Sequence, residues 1–62
     1  MKILDWLLEK FQNETITREE IGQLRRILIS VRDGFFKDFA ARDQMAAAIF
    51  LRAIEMRGVL AE

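Results

Sequence analysis

The residues of this chain that could carry out chemistry are arginines, carboxylates and a few hydroxyls, and the arginines have the most regular spacing. Arg18, Arg25 and Arg32 recur every seven residues, so a helix would place them along one side. Arginine binds phosphate through paired hydrogen bonds, which makes a phosphate-contacting face one interpretation. The other is a solvated flank, in which the arginine stems cover the edge of the core and the guanidinium groups pair with carboxylates such as Glu9 and Asp43. We expect the solvated flank.

A helix-turn-helix DNA-binding protein is the alternative function that this arginine stripe suggests. In that motif the recognition helix exposes polar, base-reading side chains at its N-terminal end. Here Arg18, Glu19, Gln23 and Arg26 would occupy those positions, and phosphate would repel the glutamate. Ten basic and ten acidic residues also cancel, which removes any general attraction to nucleic acid or to an anionic membrane. A dimeric nucleic-acid-binding regulator is therefore the alternative rather than the main hypothesis.

Catalysis is not expected from these residues. General acid–base catalysis needs carboxylates held in a pocket, whereas the carboxylates here are predicted to face solvent or to cap helices. The hydroxyls are those of Thr15, Thr17 and Ser30, and the sequence contains no histidine to activate one of them. It also contains no cysteine, so neither a disulfide nor the usual zinc site is available. We expect no enzyme activity, no cofactor and no metal.

Apolar packing must hold the chain together, and the pattern favours an all-α fold. Sixty-two residues are too few for a second core, and 52% of them are hydrophobic with no proline to interrupt a helix. The longest apolar run covers residues 45–51, far short of the roughly 20 residues that cross a bilayer. Asp5 interrupts the apolar N-terminal segment, which argues against a secretory signal. We expect a single helical domain over residues 1–62, in the cytoplasm and not in a membrane.

The periodicity and the end signals predict three helices, over about residues 2–13, 17–33 and 37–57. The first is marked by one apolar stripe, formed by Ile3, Leu4, Leu7, Leu8 and Phe11. The second has the clearest start, because Thr17 and Glu20 have the spacing of a capping box. Ile16 and Ile21 occupy the two positions of a hydrophobic staple around that start. We therefore expect the second helix to begin at Thr17.

The connection between the second and third helices is predicted to be a packed corner. Gly34 is a natural left-handed C-terminal cap for the second helix, and Phe35 should pack behind it on the last turn. Phe35, Phe36 and Phe39 are expected to fill the corner rather than to form a ligand-stacking platform. Asp38 is the expected N-terminal cap of the third helix.

The third helix carries more apolar surface than a three-helix monomer can bury. One face holds Phe39, Ala47, Phe50, Leu51 and Ile54, and a second holds Met45, Ala46, Ile49, Ala53 and Met56. A helix that is apolar over most of its circumference is normally buried on most sides, and two short helices cover only one side. We therefore predict a homodimer whose self-association seam consists of Met45, Ile49, Ala53 and Met56. Gly58 and Val59 are expected to close this helix at its C-terminal end.

Two large apolar side chains, Trp6 and Ile29, lie outside the main stripes of their helices. Tryptophan is enriched among the residues that dominate binding energy at interfaces. Together with the arginine stripe of Arg18, Arg25 and Arg32, they are the candidates for a partner-binding face. The sequence thus predicts a small homodimeric helical bundle that binds and modulates a protein partner, a type of regulatory protein that suits bacteria and phages.

Overall fold

The computed structural model describes residues 2–57. Within them the chain forms three helices, α1 (Lys2–Gln12), α2 (Arg18–Arg32) and α3 (Ala41–Met56), and no strand. The all-α prediction with three helices is confirmed. The expected roles of Gly58 and Val59 at the end of α3 lie outside the described residues.

Helix α2 packs against both of the other helices, and it packs more extensively against α3 than against α1. Its apolar side contributes four buried side chains to the core, those of Ile21, Leu24, Leu28 and Val31. The other helices contribute Leu4, Leu7, Phe11, Ala47, Leu51 and Ile54. Burying a leucine-sized side chain stabilises a fold by about 1.5–3 kcal/mol, so this shared cluster is the main stabilising contact among the helices.

The start of α2 has the predicted capping box. The amide of Glu20 donates to the hydroxyl of Thr17 over 3.2 Å, and the amide of Thr17 donates to the carboxylate of Glu20 over 2.9 Å. Ile16 packs against the core just before the helix, and Ile21 is buried in its first turn. Two amides that the helix itself cannot satisfy are therefore paired with side chains.

Glu20 also joins α2 to α1. Its carboxylate lies 2.6 Å from the ammonium of Lys10. The hydrogen bond from Lys10 and the backbone hydrogen bond from Thr17 hold the pKa of Glu20 below its ordinary value of 4.5. A carboxylate with a lowered folded-state pKa stabilises the fold above its unfolded pKa, and this stabilisation is lost as pH falls through the folded value. The contact therefore helps to hold α1 on α2 at neutral pH.

Gly34 follows the C-cap of α2 in the predicted left-handed conformation, but Phe35 does not pack behind it. Gly34 has a φ of 79°, and the amides of Gly34 and Phe35 donate to the carbonyls of Val31 and Ser30, which is the Schellman pattern. The side chain of Phe35 is 76% exposed. The prediction for Phe35 was wrong: its amide binds the carbonyl of Ser30, whose side chain is polar, and its own side chain does not pack against the core.

Helix α3 begins at Ala41 rather than near residue 37, so the prediction that Asp38 caps it was wrong. Phe36 and Phe39 pack against the core in the connection, with ring centroids 6.0 Å apart, as expected of corner residues. The carboxylate of Asp43 then accepts a hydrogen bond from the amide of Ala40 over 2.8 Å. Asp43 therefore supplies half of a capping box three residues into the helix, and this fixes the later start.

The ends of α1 and α3 meet through a contact that the sequence pattern does not predict. The guanidinium of Arg57 lies 4.2 Å from the centre of the Phe11 ring and donates to the Phe11 carbonyl over 3.2 Å. A cation over an aromatic face is attracted by the ring electrons. Arg57 thus ties the C-terminal end of α3 to the C-terminal end of α1.

The capping box makes a direct prediction about stability. Thr17→Ala should lower the free energy of unfolding by about 1 kcal/mol, because the amide of Glu20 loses its acceptor. For a domain of this size we expect the melting temperature to fall by roughly 4–8 °C, measured by circular dichroism. Thr15→Ala is the matched control, since that hydroxyl makes only a long 3.4 Å contact with the Lys10 carbonyl. Equal effects of the two substitutions would contradict the assignment.

Candidate functional site

The outward side of α3 exposes three large apolar side chains in one row. Met45, Ile49 and Met56 are 70%, 68% and 79% exposed, and their spacing places them within about 40° of each other around the helix. We call these three residues the outer α3 face. Ala47, Leu51 and Ile54, on the opposite side, are buried. Helix α3 thus covers the core with one side and leaves a second apolar side uncovered.

Ala53, the fourth residue of the predicted seam, lies at the edge of this face rather than within it. Its side chain is half-buried and packs against the core cluster. Helical geometry explains the difference, because Ala53 lies about 40° beyond Ile49 toward the side that faces the other helices. Three of the four predicted seam residues therefore form one exposed surface.

Two arginines border the outer α3 face. Arg42 and Arg52 are exposed, and each lies within about 20° of the nearest apolar member of the face. Long arginine side chains can lay their methylene stems along apolar surface while the charged ends remain in water. The face is therefore apolar along its centre and cationic on both flanks.

Trp6 is exposed on α1, as the sequence suggested, but Ile3 joins it there unexpectedly. Their side chains are 49% and 45% exposed, and the ammonium of Lys10 lies 4.5 Å from the centre of the Trp6 ring. Ile3 was predicted to belong to the core stripe. That prediction was wrong, because α1 packs only along the side that carries Leu4 and Leu7, and Ile3 falls at its margin.

Ile29 does not lie on an exposed partner face. Its side chain is half-buried and packs against the core. Trp6 on α1 is exposed, whereas Ile29 on α2 is not. These two candidates therefore do not form one exposed surface.

The arginine stripe of α2 is exposed along its length, at Arg18, Arg25 and Arg32. Arg32 donates to the carboxylate of Asp33 over 3.1 Å. It also lines a shallow, open hollow next to α3, together with Arg52 and Glu55. Arg32 therefore has carboxylates close to it, but these are not the predicted partners Glu9 and Asp43.

An apolar groove lies between α1 and α3, and the sequence pattern did not reveal it. Its cavity has a volume of about 170 Å³. The apolar lining consists of Leu4, Leu8, Leu28, Val31, Phe39, Ala46, Ala47 and Phe50. Asp5 from α1 and Asp43 from α3 complete the lining. The groove exists because α1 and α3 pack on α2 at a distance from each other. The periodicity of one helix gives no information about that distance.

The part of the chain that the structure describes offers no arrangement for metal binding or for crossing a membrane. No group of three or more carboxylates within residues 2–57 could hold a metal ion. None of the three helices is long and apolar enough to span a bilayer.

Comparison with known proteins found no match to a family model, a curated protein or a solved structure.

The exposed arginine stripe allows a test of nucleic-acid binding. We expect no retention of duplex DNA or RNA at physiological salt, and replacing the stripe with glutamine should leave fold and oligomeric state unchanged, because exposed ion pairs contribute only about 0–1 kcal/mol each. Electrophoretic mobility shift measures the retention of nucleic acid, circular dichroism measures the fold, and sedimentation velocity measures the oligomeric state. The variant carries Arg18→Gln, Arg25→Gln and Arg32→Gln, and the control carries Lys2→Gln and Lys37→Gln, at exposed positions outside α2.

A different result would favour a nucleic-acid-binding function. Phosphate contacts release counterions, so the logarithm of the affinity should fall with the logarithm of the salt concentration, with a slope of about −0.9 per phosphate contacted. A micromolar complex at physiological salt that the stripe variant loses and the control variant keeps would overturn our expectation.

Proposed function

We propose that this chain is a non-catalytic interaction protein that forms a homodimer through the outer α3 face and binds a protein partner elsewhere on its surface. The observation that carries the proposal is the exposure of Met45, Ile49 and Met56 along one side of one helix. Single exposed hydrophobic residues are ordinary on protein surfaces. An apolar row flanked by charged residues is typical of an interaction site.

The spacing of this face suits a second copy of the same chain. Met45, Ile49, Arg52 and Met56 are separated by four, three and four residues, so the pattern of intervals reads the same in both directions. In an antiparallel pair related by a two-fold axis, Met45 would meet the partner subunit's Met56, and Ile49 would meet the stem of the partner subunit's Arg52. Two-fold interfaces require such self-complementarity, and methionine adapts its shape to irregular gaps.

The size of the face indicates a weak dimer. Helix α3 has 16 residues and is about 24 Å long, so one helix pair buries less than the roughly 800 Å² per partner of a standard interface. The monomer also has a complete core of its own, in which Leu7, Leu24 and Ile54 are fully buried. We therefore propose that the chain folds as a monomer and dimerises at micromolar concentration.

The balance of charges favours a protein over nucleic acid as the further partner. The formal net charge is zero, and a neutral surface lacks the general attraction to phosphate that nucleic-acid-binding proteins use. Trp6 is a large, half-exposed aromatic residue of the kind enriched at protein interfaces.

Sedimentation velocity tests the homodimer. At micromolar concentration the wild-type protein should show reversible association toward twice the monomer mass of 7.3 kDa. Ile49→Glu should sediment as a monomer at micromolar concentration, because the carboxylate and the partner subunit's Arg52 would both lose water at the interface, and a buried ion pair is commonly less stable than the apolar contact it replaces. Since Ile49 is exposed in the monomer, the same variant should keep the wild-type circular dichroism spectrum.

The matched control for this substitution is Gln23→Glu, which adds the same charge at an exposed position of α2. It should dimerise like the wild type. A wild-type protein that stays monomeric into the millimolar range, or a dimer that Ile49→Glu leaves intact, would overturn the proposed interface.

A further inference from the structure

We propose that the groove between α1 and α3 binds a protein segment that presents one large apolar side chain with a lysine or arginine about one helical turn away. This inference rests on the proposed function, because it specifies the chemistry of the protein partner proposed there. The groove lies on a different side of α3 from the outer α3 face, so one chain can hold a partner segment and a second copy together.

The size of the cavity suits a single side chain. Its volume is about 170 Å³, well below the roughly 300–1,000 Å³ of typical small-molecule pockets. Leu28 and Val31 of α2 are buried at its base, and Leu8, Phe39 and Phe50 are half-buried along it. An inserted leucine or phenylalanine would therefore cover half-buried hydrophobic side chains of α1, of α3 and of the connection between α2 and α3, which is how helical segments anchor in apolar grooves.

The charges of the groove select a basic segment. Asp5 lies in the first turn of α1 and Asp43 in the first turn of α3, and the lining includes no lysine or arginine. Asp43 uses one oxygen to accept from the amide of Ala40, and its carboxylate has a second oxygen to offer. A cation beside the anchor would be attracted by both carboxylates, whereas an acidic segment would be repelled.

Charge also separates the groove from the other exposed surfaces. The outer α3 face is bordered by Arg42 and Arg52, which would repel a basic segment. The groove carries the opposite sign. A basic amphipathic segment is therefore directed to the groove, and the two surfaces can be told apart by substitutions on each.

Selection from a phage-displayed library of randomised helical peptides tests the proposal on the full chain. Peptides enriched on the wild-type protein should share an apolar anchor with lysine or arginine one turn away. Fluorescence anisotropy of the enriched peptides then measures binding to variants. Ala46→Phe fills the groove from an exposed position and should abolish binding.

Removing the two charges gives a second variant that keeps the shape of the groove. Asp5→Asn with Asp43→Asn should weaken binding by about tenfold, and asparagine at position 43 can still accept from the Ala40 amide. Glu9→Gln with Glu55→Gln is the matched control, because both carboxylates are exposed and neither lines the groove. That control should bind like the wild type.

Ile49→Glu distinguishes this proposal from the proposed dimer. Retained peptide binding by this variant supports the groove whatever its oligomeric state. Three results would overturn the proposal: no enrichment above background, enrichment of acidic peptides, or peptides that bind Ala46→Phe normally and are lost with Ile49→Glu. Loss of dimerisation in Asp5→Asn with Asp43→Asn would also overturn it, because a second copy would then occupy the groove.

Discussion

The packing of both outer helices on α2 is the constraint on which the rest of the structure depends. Helix α2 supplies Leu24 and Leu28 to one cluster that also buries Leu7 of α1 and Ile54 of α3. Helices α1 and α3 each rest on α2. Their C-terminal ends are joined by the contact between Arg57 and Phe11, and the groove lies between them nearer to their N-terminal ends. The side of α3 that points away from α2 stays uncovered for the same reason. Both proposed interaction surfaces follow from this arrangement.

Features that depend on short stretches of sequence could be predicted. The capping box of Thr17 and Glu20 and the left-handed cap at Gly34 each involve residues that are close together in the chain. The local sequence is therefore enough to predict their geometry. The buried stripes of α1 and α2 follow from helical periodicity. The exposure of Met45 and Ile49 could also be predicted, because two short helices can cover only one side of α3.

Features that depend on how the helices meet could not be predicted in this way. The late start of α3 arises because Phe36 and Phe39 pack on the core before the helix begins. The carboxylate of Asp43, not that of Asp38, then pairs with the amide of Ala40 at the start of the helix. Ile3 and Phe35 are apolar and correctly spaced, yet neither finds a neighbouring helix to cover it. The groove requires the separation of α1 from α3, which depends on the bulk of the side chains between them.

The most direct test of whether a second copy covers the outer α3 face is to record methyl NMR spectra of the protein as it is diluted. From millimolar to micromolar concentration, the methyl signals of Met45, Ile49 and Met56 should shift together along one binding curve, while those of Leu24 and Ile54 stay constant. Constant signals at all five residues would contradict the claim that a second copy covers this face, and shifts at Leu24 and Ile54 would contradict the claim that the core is complete in the monomer.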